Sequence, residues 1–302
     1  MKPMLQDLIF YLKDVGVSFT ENEPMKKHTT FKTGGNADLM VFPNSAAQLS
    51  DVLSYCYRNG IRPLILGNGS NLLVSDDGVR VPVINIGEGF DELRLVDETT
   101  VYAGAGTPLI RLCKFALEHA LSGLEFAYGI PGTVGGAVFM NAGAYGGEMR
   151  DVVSSSQHLT LRGEPGVFEG ESLRFGYRHS VYKEQPCVII GAVFRLQKSD
   201  PLLIQEKMQD LLQRRKDKQP LEYPSAGSVF KRPEGYFAGA LIEQSGLKGK
   251  QIGGAAVSEK HAGFIVNLGD ATTNDVLALI RLCRQIVKEK FGVTLETEIQ
   301  MV

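Results

Sequence analysis

Several features that would indicate other classes of protein are missing from this sequence. The 302 residues carry a formal net charge of −2, so no excess of positive charge points to a nucleic-acid partner. No segment has the roughly 18 consecutive apolar residues that a membrane span needs. Charged residues near the N-terminus interrupt the apolar core that a signal peptide requires. We therefore expect a cytoplasmic protein without a nucleic-acid or membrane partner.

Cysteine and histidine are also scarce. The four cysteines form no CxxC pair, and three of them lie among apolar residues in predicted helices. This pattern is typical of buried free thiols in a reducing compartment. The five histidines show no metal-ligand spacing such as HxxxH, so no metal site is predicted.

Glycine, in contrast, is concentrated in one stretch, GIPGTVGGAVFMNAGAYGG at residues 129–147, which contains no charged residue. Small side chains and free N–H groups suit a pyrophosphate. The stretch matches neither GxxxxGK[ST] nor a GxGxxG that opens a long helix. The alternative is a long loop that joins two strands without binding a ligand.

A second glycine cluster lies upstream, where ILGNGSNLLV at residues 65–74 predicts a strand, a tight turn and a strand. Alone, it could be an ordinary hairpin turn. The preceding segments predict a strand at 37–42, a helix that begins near Ser45 and ends at Gly60, and a strand at 63–66. This β-α-β order places the turn at the end of a strand, where α/β folds bind ligands.

The remaining periodicities predict further elements. Helices are expected at residues 4–15, from Thr107-Pro108 to Gly123, at 200–218, at 237–245 and at 272–291. Strands are expected at 79–86, 93–103, 261–268 and 293–301, with several short strands between 152 and 196.

Together, GNGSNLLV and GIPGTVGGAVFMNAGAYG resemble the flavin-binding domain of the UDP-N-acetylenolpyruvoylglucosamine reductase family, a group within the vanillyl-alcohol-oxidase type of flavoproteins. The motifs FGYRHS, SAGSVFKRP and LETEI extend the resemblance over nearly the whole chain. It implies an α+β fold, with a two-subdomain FAD-binding unit and a C-terminal α/β substrate domain. The implied division is 1–90 and 91–199 for the two FAD-binding subdomains and 200–292 for the substrate domain. The strand 293–302 could return to the first subdomain.

The resemblance implies noncovalent FAD, because no His or Cys matches an attachment site, and NADPH as co-substrate. The cofactor contacts that it implies come from the two glycine clusters: Gly67, Asn68, Gly69, Ser70, Asn71, Gly129, Pro131, Gly132, Thr133, Gly135, Gly136, Ala137 and Asn141.

Three residues match the family's catalytic positions. The period-two alternation of the last strand places Glu296 and Glu298 on one face, opposite Val293, Leu295, Ile299 and Met301. From the residues alone, the preferred interpretation is that both are solvated carboxylates on a half-exposed strand. In LETEI the second glutamate, Glu298, matches the catalytic carboxylate, although Thr297 stands where the family often has proline. Arg178 in FGYRHS and Ser228 in SAGSVF match the arginine at the reacting carboxylate and the proton donor. Without the resemblance they would be a surface ion-pair partner and a turn residue.

The implied reaction reduces the enolpyruvyl ether of UDP-N-acetylglucosamine to UDP-N-acetylmuramate, with a hydride from flavin N5 and a proton from Ser228. Tyr177, Lys218 and Arg232 match substrate contacts, and the last two suit a diphosphate. The chain is a short form, without the insertion that carries a tyrosine lid in some members. Two rival interpretations are a flavin oxidase with another substrate and a UDP-sugar binding protein that has only the fold.

Overall fold

The computed structural model describes residues 3–302. Its α-helices are α1 (Pro3–Asp14), α2 (Ala46–Arg58), α3 (Leu109–Glu118), α4 (Val134–Met140), α5 (Pro201–Lys218), α6 (Ala238–Gln244) and α7 (Thr273–Phe291). None of these helices combines the length and apolar character needed to cross a lipid bilayer.

The strands, in chain order, are β1 (Ser18–Pro24), β2 (Asn36–Phe42), β3 (Leu64–Leu66), β4 (Leu72–Leu73), β5 (Val83–Asn85), β6 (Leu93–Leu95), β7 (Thr100–Gly104), β8 (Leu121–Ser122), β9 (Gly143–Ala144), β10 (Gly147–Glu148), β11 (Val153–Thr160), β12 (Pro165–Glu169), β13 (Cys187–Arg195), β14 (Gln197–Lys198), β15 (Gln251–Ile252), β16 (Ala255–Val257), β17 (Ile265–Asn267) and β18 (Gln300–Met301).

Local sequence signals explain where the main helices begin. The Ser45 hydroxyl accepts the Gln48 N–H (3.2 Å) at the start of α2, as expected for an N-cap serine. At α7, Thr272 and Asp275 form a reciprocal capping box. The predicted helices at 4–15, 200–218, 237–245 and 272–291 are confirmed. The helix predicted to close at Gly123 ends earlier, because Ala120 takes a left-handed φ of 57°.

The chain forms two compact units. We call residues 1–21, 39–68 and 81–213 the first unit, and residues 22–38, 69–80 and 214–302 the second unit. The predicted division assigns residues 1–90 and 91–199 to FAD binding and residues 200–292 to substrate binding. This assignment stays a prediction.

Parallel and antiparallel sheets build the first unit. β2, β5 and β3 pair in parallel, so the predicted β-α-β unit forms with β5 lying between its two strands. A five-stranded antiparallel sheet follows in the order β12-β11-β13-β7-β6. One hydrophobic cluster packs α1, α2 and α3 against these strands, with fully buried residues such as Leu8, Leu53 and Phe194.

The second unit has its own core. α7 packs on the three-stranded antiparallel sheet β15-β16-β17, and α6 packs on α7; the core of the unit includes Ile242, Leu279 and Ile280. β18 pairs in parallel with β4, although the two strands are more than two hundred residues apart in sequence.

Two strand predictions are wrong in detail. The strand expected at 93–103 is the hairpin β6–β7, because Asp97 accepts the Thr99 N–H (2.8 Å) and turns the chain. The strand expected at 293–301 is regular only at Gln300–Met301. Leu295 and Ile299 are buried as predicted, but Met301 is exposed.

Candidate active site

The glycine-rich stretch is not a plain loop. It contains the short helix α4, followed by the β9–β10 hairpin. The expectation of free N–H groups is wrong at several positions along it; for example, Gly132 donates to Ile130 O and Gly135 to Ala105 O (2.9 and 2.8 Å). A Cβ added at Gly135 would lie 3.0 Å from Ala105 Cβ and 3.2 Å from Ala105 O, so the neighbouring segment would have to shift to admit a side chain.

In the first unit, part of the upstream cluster lies against this stretch. Asn68 Nδ2 donates to Pro131 O (3.0 Å), and a Cβ added at Gly67 would lie 2.7 Å from Thr133 Oγ1. The two glycine clusters therefore meet at these four residues, which are all among the predicted cofactor contacts.

The rest of the upstream cluster belongs to the second unit and is not a hairpin turn. β4 pairs with β18, while β3 belongs to another sheet. Gly69 has a φ of 58°, and a Cβ there would collide with the carbonyl of His28. This position therefore requires glycine.

In each unit, taken by itself, buried hydroxyls without hydrogen-bond partners have the chemistry to bind a group such as FAD. Thr107 accepts the Val134 N–H through its carbonyl, yet its own Oγ1 is buried with no hydrogen-bond partner among residues 3–302. The hydroxyls of Thr29, next to Gly69, and of Thr33 are also buried with no hydrogen-bond partner among these residues. Buried polar atoms normally have partners. The ribityl hydroxyls and the pyrophosphate of FAD offer such acceptors, so the residues present fit the cofactor.

Arg178 lies at the tip of a tight turn in the first unit. Gly176 and His179 exchange two backbone hydrogen bonds, both of 3.1 Å, across Tyr177 and Arg178. Arg178 has a φ of 53°, a left-handed conformation that costs a side-chain-bearing residue energy. Its guanidinium lies 5.2 Å from the Tyr177 ring centroid. Strain at a non-glycine residue marks a position that the surrounding structure must hold in place.

Ser228, in the second unit, has a weakly held hydroxyl. Its Oγ is 3.4 Å from Phe230 O, at the long end of the hydrogen-bond range. Gly263 lies beside it, since a Cβ added there would be 3.3 Å from Ser228 Oγ and 2.9 Å from His261 Cε1. His261 Nδ1 accepts the Gly263 N–H (3.1 Å), and burial lowers the pKa of His261. Lowering this pKa favours the neutral ring that can accept the bond.

Glu298 and Glu296 differ sharply in surroundings, although both follow the same extended segment. The Glu298 N–H donates to Val229 O (2.8 Å), and the Glu298 carbonyl accepts from Asn71 Nδ2 (3.2 Å). Glu296 is exposed and pairs with Lys231 (3.0 Å). The backbone therefore fixes Glu298 beside the segment that carries Ser228, whereas the Glu296 side chain lies in solvent.

The predicted substrate contacts are all exposed. Tyr177 stands at the tip of the Arg178 turn, and Lys218 is the last residue of α5. Arg232 lies over the ring of Phe237, with its guanidinium carbon 4.0 Å from the ring centroid. Their assignment to the substrate stays a prediction.

The structure brings Ser228 and Glu298 onto neighbouring segments of the second unit and places Arg178 in the first unit. No sequence motif indicated that His261 and Gly263 are neighbours of Ser228. The only signal was a histidine two residues before a glycine, which is too common to interpret alone.

Comparison with known proteins first defines the class. Residues 37–165 match the family model of an FAD binding domain. The fold is also similar to that of Phl p 4.0202, a glucose dehydrogenase, with a TM-score of 0.51 at 13% identity over 66% of this chain and 45% of that one. The fold is that of a vanillyl-alcohol-oxidase-type FAD flavoprotein.

Closer relatives define the family. Residues 219–302 match the C-terminal domain of UDP-N-acetylenolpyruvoylglucosamine reductase. The reductase of that name from Listeria welshimeri is 49% identical over 95% of this chain and 96% of its own length. The crystal structure of the Thermus caldophilus enzyme has a TM-score of 0.80, at 36% identity over 94% of this chain and 98% of that one. The chain belongs to the UDP-N-acetylenolpyruvoylglucosamine reductase family of FAD oxidoreductases. The predicted family, α+β fold class and FAD cofactor are confirmed.

Proposed function

We propose that this protein reduces UDP-N-acetylglucosamine enolpyruvate to UDP-N-acetylmuramate, with NADPH as the reductant and dissociable FAD as the cofactor. The observation that carries the proposal is the match to this reductase over both the FAD-binding and the C-terminal segments, at 49% identity to the Listeria enzyme. The product is a peptidoglycan precursor, and we place the reaction in the bacterial cytoplasm, where four unpaired cysteines are stable.

When bound, FAD would supply two-electron hydride chemistry between NADPH and the terminal vinyl carbon of the substrate. We assign its binding to the two glycine clusters and the buried threonine hydroxyls beside them. Residues 1–90 and 91–199 form the cofactor part of the proposal, and residues 200–292 form the substrate part.

Ser228 delivers the proton to the carbon next to the vinyl terminus. Its long contact with Phe230 O supports this role, because a hydroxyl that is weakly held by the protein loses little on donating elsewhere. Arg178 and Glu298 stabilise the enol form that develops there, which is an electrostatic role. Lys218 and Arg232 bind the diphosphate, so replacing either with alanine should raise KM more than it lowers kcat.

The test separates the two half-reactions of a Ser228→Ala variant by anaerobic stopped-flow absorbance. NADPH should bleach the bound flavin at close to the normal rate, because this step needs no proton donor at the sugar. Reoxidation by the enolpyruvyl substrate should slow about 10²–10⁴-fold, which is the usual contribution of a positioned acid.

Ser245→Ala is the matched control, because its hydroxyl donates to Leu241 O (2.8 Å) at the end of α6. This control should leave both steps unchanged. Reoxidation of the Ser228→Ala protein at the wild-type rate would remove Ser228 from the mechanism. Rapid reoxidation by oxygen, with none by the enolpyruvyl substrate, would refute the reductase function itself.

A further inference from the structure

The turn that carries Arg178 is anchored on the last turn of α4 at both of its flanks. On one side, Asn141 Nδ2 donates to Gly176 O (2.9 Å). On the other, Ser180 Oγ donates to Phe139 O (2.7 Å). A strained turn that is held at both ends by one helix cannot relax without breaking one of these bonds.

The backbone conformation, burial and hydrogen bonds of Asn141 all favour this contact. It caps α4 in a left-handed conformation (φ 44°) and has no exposed surface. Its Oδ1 accepts the Arg150 N–H (2.9 Å), and its Nδ2 also donates to Glu148 Oε2 (2.8 Å).

These partners fix which way the amide faces. The nitrogen lies between two acceptors, a carboxylate and a carbonyl, and the oxygen faces an N–H donor. An amide can satisfy all three partners at once, whereas a carboxylate at this position would face Glu148 and Gly176 O with no proton to donate. Buried groups left without partners in this way are costly.

We propose that Asn141, oriented by Glu148, is a positioning residue that holds the Arg178 turn in its working conformation. The proposal rests on the proposed role of Arg178 at the reacting carboxylate. In this proposal the Asn141 amide forms hydrogen bonds within the protein, whereas the glycine motif predicts that Asn141 contacts the cofactor directly.

The first measurement does not depend on activity. Asn141→Gly keeps the left-handed backbone without strain and removes only the amide. In the FAD-loaded protein without substrate, hydrogen exchange followed by mass spectrometry reports the N–H groups of Gly176 and His179. We expect their exchange to accelerate about 10- to 100-fold in the variant, as for the loss of a buried hydrogen bond.

Ala120→Gly is the matched control. Ala120 also follows a helix, with a left-handed φ of 57°, but its methyl group makes no hydrogen bond. Exchange in residues 174–180 should be unchanged in this variant. Equal protection of the turn in Asn141→Gly and wild type would overturn the proposal.

The second measurement concerns catalysis. After anaerobic reduction with dithionite, the Asn141→Gly protein should reoxidise with the enolpyruvyl substrate about 10- to 100-fold more slowly, since small displacements of a catalytic group cost this much. The double variant Asn141→Gly/Arg178→Ala should be no slower than Arg178→Ala alone, because Asn141 acts only through Arg178. Multiplied losses in the double variant would overturn the proposal.

Two further outcomes are decisive. Full activity of Arg178→Ala would refute the proposed catalytic role of Arg178, while the exchange data would still decide whether Asn141 holds the turn. If Asn141→Gly fails to retain flavin, Asn141→Asp is measured in its place, because it keeps the side-chain size and the acceptor for Arg150. Wild-type exchange and reoxidation in Asn141→Asp would equally overturn the proposal.

Discussion

The two glutamates of the LETEI motif give a sharp test of the site, because the structure predicts opposite outcomes for the same substitution. Glu296→Gln removes one charge from a pair in which the Glu296 side chain is 71% exposed. Exposed pairs of this kind contribute about 0.2–1 kcal/mol. We expect the free energy of unfolding to fall by no more than this amount, and substrate reduction to stay within about twofold of wild type.

Glu298→Gln should preserve the hydrogen bonds to Val229 and Asn71, because Glu298 makes both through its backbone. The lost charge should instead slow substrate reduction about 10²–10³-fold, which is the usual cost of removing one preorganised electrostatic contact. That loss corresponds to roughly 2.7–4 kcal/mol in the barrier.

The assay is single-turnover reoxidation of the prereduced flavin by the enolpyruvyl substrate, with urea unfolding measured on the same preparations. A Glu296→Gln protein that is inactive beside an active Glu298→Gln protein would show that the register assigned to this segment is displaced by two residues. Equal, large losses of stability in both variants would refute the distinction between an exposed and a fixed glutamate.

Four further predictions concern single contacts and the bound flavin. Gly263→Ala should slow substrate reduction at least about tenfold and leave flavin reduction unchanged in the same stopped-flow assay, because the new methyl group would crowd both His261 and Ser228. Thr272→Ala should destabilise the protein by about 1 kcal/mol in urea titrations, through loss of the α7 cap. The N–H of Thr272 lowers the pKa of Asp275, so the stability difference between wild type and Asp275→Asn should be present at neutral pH and disappear as the pH falls below about 4, in thermal unfolding followed by circular dichroism. Acid precipitation should release all flavin into the supernatant, and absorbance that stays with the pellet would contradict noncovalent binding.

Elements that depend on nearby residues could be predicted from the sequence. The threonine before α7 marked its start, and the apolar spacing of α1 and α2 identified their buried faces. Strands with distant partners could not be predicted. Residues 296 and 298 bond to the segment 229–231, and residue 300 bonds to Asn71, so no single periodicity describes the stretch.

In the candidate site, too, contacts between residues distant in sequence could not be predicted. Motif resemblance predicts catalytic roles for Arg178, Ser228 and Glu298, but it did not indicate that Arg178 would have a left-handed backbone. It assigned Asn71 and Asn141 to the cofactor, which stays a prediction, and it did not indicate that their amides bond to Glu298 O and Gly176 O. These contacts span 227 and 35 residues of sequence, and a local pattern has no access to them.

The second unit consists of three segments that are separated in sequence, and this affects how it folds during synthesis. Its segments 22–38 and 69–80 leave the ribosome early, but their partners lie at 214–302. At about 5–20 residues per second, the roughly 130 intervening residues take on the order of ten seconds to synthesise. The first unit, which is complete by residue 213, can fold in that time. Glu298 can reach its place beside Asn71 only after the first unit has been synthesised, so the carboxylate proposed to act in catalysis joins the second unit late relative to segments 22–38 and 69–80.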